Sequence, residues 1–132
     1  MLSILVDILT SWINYLSLVS EPIQAEGGEI LKFMGDAILA IFPVETDSST
    51  SVAFRKLLET SAADACLRAA RASYSNIQSW SKKSSENILK AGFGLSLGEV
   101  FYGNIGAPGR LDFTVIGKAV NLASRLESMC KE

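Results

Sequence analysis

Apolar residues recur every three to four positions near the start of the chain, at Leu5, Ile8, Leu9, Trp12, Leu16 and Val19. Asp7, Ser11 and Asn14 fall between them. That period predicts an amphipathic helix over residues 2–25, packed on a core or a partner. Pro22 predicts a kink or break near its end, and Gly27-Gly28 stops it. The pattern then changes. Two β-prone apolar runs, 29–34 and 37–42, flank Gly35-Asp36 and read as a hairpin with a two-residue turn. Pro43 closes the second run, and the polar, Ser/Thr-rich segment 44–52 reads as a loop.

A second helical pattern is strongest over residues 61–80, with Ala62, Ala65, Cys66, Ala69, Ala70, Ile77 and Trp80 as a stripe of mostly small side chains. Such a stripe lets a helix sit close to a sheet. Residues 81–87 form a solvated connection. Segments 89–97 and 100–105 read as strands joined at Gly98-Glu99, and 111–116 as another after the Pro/Gly turn at 106–109. A last helix runs from Ala119 to about Met129. Helix, hairpin, helix, hairpin, helix is an α+β pattern with an antiparallel sheet.

With 132 residues the chain has enough material for one domain. Its 12 Lys and Arg are scattered against 14 Asp and Glu, so no basic stripe suits a nucleic-acid backbone. Histidine is absent, which excludes Ser-His-Asp machinery and His-ligated zinc. Chemistry here rests on carboxylates, Lys, Arg, amides, hydroxyls and metals. Cys66 and Cys130 read as reduced, buried small hydrophobes of a cytoplasmic protein. The greasy opening is broken by polar residues and has no basic leader, so it predicts no membrane segment.

Two stretches are specific: GGEILKFMGDAILAIFP at 27–43 and GLSLGEVFYGNIGAPGRLDFTVIGKAVNLASRLE at 94–127. Together they resemble the central and C-terminal signatures of the class III adenylate and guanylate cyclases, in the family's order and separation. The Gly-Gly-Glu-Ile at 27–30 is superficially similar to the diguanylate cyclase signature, but it precedes a strand instead of sitting in a turn. The resemblance implies a ferredoxin-like α+β domain with helices packed on one face of the sheet. It implies a head-to-tail homodimer or heterodimer with a second cyclase domain, its sites at the interface. The implied reaction turns ATP into 3′,5′-cyclic AMP and pyrophosphate, with two Mg²⁺ or Mn²⁺ ions per site.

Residue by residue, spacing alone gives bland readings that the resemblance overrides. Asp36 would be a turn residue; in the motif it matches one of two metal-binding aspartates, and carboxylate oxygens suit hard cations. Lys32 would be an exposed strand lysine; in the family this position contacts the purine, Lys with adenine and Glu with guanine. Asn121 and Arg125 are four apart on the last helix and share a face. They match the pair that orients the ribose and stabilises the transferring phosphate, for which a guanidinium fork is suited.

Thr114 departs from the many adenylate cyclases that carry Asp at the second purine-contacting position; it resembles a bacterial-type subgroup, and its hydroxyl can accept a hydrogen bond. Asp112 lies two positions early for that role and is read as structural. Ser96 stands where the family often has His. The family's opening strand, with a motif like Phe-x-Asp-Ile-x-Gly-Phe, is not recognisable before the first predicted helix. Asp7, lying in a helix-like pattern, is not assigned as the other metal aspartate. The family also continues past the position of Glu132. The expectation is a single domain over residues 1–132, incomplete at both ends and lacking its first strand. It is either an adenylate cyclase domain or a non-catalytic or partner-dependent cyclase-homology module.

Overall fold

The computed structural model describes residues 2–8, 16–34, 37–83 and 90–130, with the backbone alone at 2–8 and 113. Its elements are β1 (Leu2–Ile8), α1 (Leu16–Ala25), β2 (Glu29–Met34), β3 (Ala37–Phe42), α2 (Val52–Lys83), β4 (Ala91–Leu97), β5 (Phe101–Ala107), β6 (Arg110–Ile116) and α3 (Lys118–Met129). Four strands form one sheet in the order β2-β3-β1-β4, every neighbouring pair antiparallel. This βαββαβ arrangement is the ferredoxin-like one, and the α+β class is the expected one. A separate hairpin, β5–β6, follows it.

The opening segment differs from expectation. Residues 2–8 form a strand, not the start of a helix, and that strand lies in the middle of the sheet between β3 and β4. The sheet therefore does not lack a strand ahead of its first helix. A largely apolar run such as Leu-Ser-Ile-Leu-Val-Asp-Ile suits a strand flanked on both edges as well as a helix, and long-range pairing decides between them. Residues 9–15 of the predicted helix lie outside the described residues. Its last turns are α1, which continues through Pro22 and buries Val19 and Ile23.

β3 sets the layering, because its side chains are buried on both faces. Ile38, Ala40 and Phe42 pack with Val19 and Ile23 of α1 and with Cys66, Ala69 and Ile77 of α2. Leu39 and Ile41 pack instead with Val115 of β6 and Ala123 of α3. The helices are thus not all on one face: α1 and α2 cover one side, and α3 with the β5–β6 hairpin covers the other. Gly94 makes this possible, since a Cβ there would overlap the carbonyl oxygen of Ala123 as α3 crosses β4.

α2 starts earlier than the strongest part of its pattern. Ser51 Oγ accepts from the Phe54 N–H at 3.2 Å and caps the first turn. Just before it, Asp47 Oδ1 accepts from the Ser49 N–H and hydroxyl at 2.8 and 2.6 Å, which holds the Asp47 carboxyl below its ordinary range. Both cysteines are free, as expected, but only Cys66 is buried; Cys130 is exposed at the end of α3. Desolvation pushes the Cys66 thiol up to about 12, so it stays protonated and inert.

Candidate functional site

β2 carries an irregularity that aims its polar residues. Glu29 pairs with Ile41 and Ile30 with Ala40, but the next pair is Lys32 with Leu39, so Leu31 is an extra residue. In a regular strand, residues three apart point to opposite faces. The bulge cancels that alternation. Glu29 and Lys32 both stand opposite residues of the face covered by β6 and α3.

There Lys32 meets β6. Its Nζ lies 3.2 Å from Asp112 Oδ2, the two side chains being 30% and 62% exposed. A pair this exposed contributes about 0–1 kcal/mol to stability. Its importance is geometric: the ammonium is held on the seam between β2 and β6. Thr114, half-buried, stands two residues along β6 and so on the same side of that strand as Asp112. Asp112, for which the sequence suggests a structural role, lies against the lysine. The alternation Asp-Phe-Thr was the available signal, since it gives positions 112 and 114 one face.

Asp36 lies outside the described residues. Ala37, which follows it in sequence, pairs with Asp7 of β1, and Asp7 pairs on its other side with Gly92 of β4. Asp7 therefore occupies the register position beside the β2–β3 connection. The helical reading of the opening segment concealed this.

Asn121 and Arg125 are exposed on α3, whose buried positions are Ala119, Ala123 and Glu127. Each lies two residues beyond a buried position, about 200° around the helix. They face away from the sheet. Among the described residues no hydrogen bond or ion pair joins either to Lys32, Asp112 or Thr114. The fold thus brings Lys32 to Asp112, with Thr114 on the same face of β6 as Asp112, and presents Asn121 with Arg125 on an outward surface of α3. A cleft of about 860 Å³ beside the first turn of α3 is lined in part by Arg55, Glu59, Ser96, Glu99 and Lys118, and by none of these four. Among the described residues no group of three His, Cys, Asp or Glu gathers as a cation site, and no helix is long and apolar enough to cross a membrane.

These features agree with the matches to known proteins. The chain belongs to the family described as adenylate and guanylate cyclase catalytic domain, matched over residues 6–132. It is 38% identical over 130 residues to the terminal-differentiation specific adenylate cyclase of Dictyostelium discoideum, covering 97% of this chain and 6% of that protein. It is 32% identical over 120 residues to an adenylate cyclase of Anabaena cylindrica, covering 90% of this chain and 22% of the relative. The chain thus spans a small part of either relative's length. A bacterial light-regulated adenylyl cyclase has a similar solved structure, with a TM-score of 0.78 and 27% identity, covering 99% of this chain and 70% of that one.

Proposed function

We propose that this chain is a single adenylate cyclase domain that converts ATP to 3′,5′-cyclic AMP and pyrophosphate as one half of a shared active site. The observation that carries the reading is the Lys32–Asp112 contact, with Thr114 two residues along β6 on the same strand face as Asp112. The edge of adenine offers a ring-nitrogen acceptor beside an amino donor. An ammonium next to a hydroxyl or carboxylate acceptor complements that order, whereas guanine presents an N–H donor where Lys32 also donates. Asn121 orients the ribose. The 3′-oxygen loses its proton and bonds to the α-phosphorus, the bond from that phosphorus to the bridging oxygen breaks, and pyrophosphate leaves with the electron pair. Arg125 offers parallel N–H donors to the phosphoryl oxygens as charge builds there.

The carboxylates fit divalent cations. Asp7 stands at the register position beside Ala37, Asp36 precedes Ala37 in sequence, and carboxylate oxygens are hard donors suited to Mg²⁺ or Mn²⁺. When bound, such ions supply Lewis-acid stabilisation of the 3′-oxygen and the phosphates. Because Asn121 and Arg125 face away from the sheet, they serve the site of a second cyclase domain, which makes activity partner-dependent. Exposed apolar side chains, Phe101 at 80% and Leu122 at 50% among them, support such pairing. A cytoplasmic setting suits an ATP-using domain with free cysteines.

The test is production of cyclic AMP from ATP with Mn²⁺, in wild type and in Lys32→Glu with Thr114→Cys. The double variant is expected to shift preference from ATP toward GTP. Unchanged ATP preference would remove the purine assignment, and no cyclic AMP at any protein concentration would leave the binding-module reading.

A further inference from the structure

Among the described residues, two side-chain hydrogen bonds link β2 to the β5–β6 hairpin. One is Lys32–Asp112. The other is the Tyr102 hydroxyl, which donates to Glu29 Oε2 at 2.8 Å. They grip different faces of the hairpin. Tyr102 is paired across the ladder with Val115, and Asp112 with Ile105, so positions 102 and 115 share one face while 112 and 114 share the other. Val115 packs that Tyr102 face on Leu39 and Ile41, an apolar contact that has no direction; the Tyr102–Glu29 hydrogen bond adds a directional tie there against roll of the hairpin about its long axis.

Roll of the hairpin would shift the face that carries Asp112 and Thr114 relative to Lys32. We propose that Glu29 and Tyr102 are a positioning pair for base selection: with the Leu31 bulge, their hydrogen bond sets the roll of β5–β6 and so the placement of Thr114 relative to Lys32. This rests on the reading of Lys32 and Thr114 as purine contacts. The bulge is essential, because without Leu31 as an extra residue Glu29 and Lys32 would project from opposite faces of β2. The Glu29 carboxylate accepting from the phenol also raises the Tyr102 pKa, so the donor proton stays in place at neutral pH.

The experiment is equilibrium dialysis of the full chain against ATP and against GTP with Mn²⁺, with thermal melting of every variant. Tyr102→Phe removes only the hydroxyl and Glu29→Ala only the acceptor. Each is expected to lower the ratio of ATP to GTP affinity by roughly threefold to tenfold, the range of a typical net hydrogen bond. The double variant should fall no further than either single one, because both remove the same link. Glu29→Gln, whose amide oxygen still accepts, should restore the ratio. An unchanged ratio in Tyr102→Phe, or equal losses for both nucleotides together with a lowered melting temperature, overturns the positioning role. Lys32→Ala separates the two ideas. If it lowers the ratio while Tyr102→Phe does not, only the positioning role fails; if it leaves the ratio unchanged, or neither nucleotide binds to wild type, the purine reading fails and the positioning role with it.

Discussion

Arg125 is exposed on α3 and is not among the residues that helix buries, so its removal can separate chemistry from stability. Arg125→Ala is expected to lower kcat by about 10²–10³, the usual loss for one electrostatic stabiliser, with an unchanged melting curve. Arg125→Lys keeps the charge but loses the planar fork, and should recover only a minor part of the rate. A steady-state cyclic AMP assay beside circular dichroism checks both. At this scale the sequence was informative wherever a residue's identity carries its chemistry. Lys32, Thr114, Asn121 and Arg125 could be proposed as a set because the motif holds them in order. The placements of Asp112 and Asp7 were not legible, for different reasons. Asp112 meets Lys32 only through a contact across 80 residues of chain, and no local spacing encodes that. Asp7 was masked by a helical period that a central strand equally satisfies.

Elements were legible where local chemistry decides them and obscure where tertiary pairing does. Gly-Asp between two apolar runs correctly marked the β2–β3 hairpin. The bulge in β2 was invisible, because Leu31 is one more apolar residue in an apolar run and only the register with β3 exposes it. The position of α3 was likewise hidden, although Gly94 carried the clue. That glycine gives a prediction of its own. Gly94→Val would drive a branched side chain into the Ala123 carbonyl and lift α3 from β4. Overpacking of this kind costs roughly 1–3 kcal/mol, read as a lower urea midpoint. Activity should fall further than stability, because α3 also carries Asn121 and Arg125. A variant with an unchanged midpoint would mean that α3 does not press on β4 as closely as the geometry has it.

For the molecule as a whole, the separation of Lys32 from Asn121 and Arg125 makes a prediction that needs two copies. Lys32→Ala and Arg125→Ala chains should each be nearly inactive alone. If each site takes Lys32 from one protomer and Arg125 from the other, a mixture forms heterodimers with one intact and one doubly defective site. Random pairing then returns roughly a quarter of wild-type activity. A mixture no more active than its components would place both residues in the same protomer's site, or make the partner a different chain. Sedimentation at the assay concentration shows whether pairing has occurred.

The register of β1 has a consequence for how this sheet comes into being. Leu2 pairs with Phe42 on one side and with Leu97 on the other. During synthesis, the strand made first gains its β3 neighbour early but keeps an open edge until β4 has emerged. Only then can the sheet close, and loops this long make closure slow. In that interval an unpaired apolar strand is available to any other chain. Yield at high expression rates should therefore suffer through misassociation of nascent chains, and slower translation or lower temperature should relieve it without any change in the finished fold.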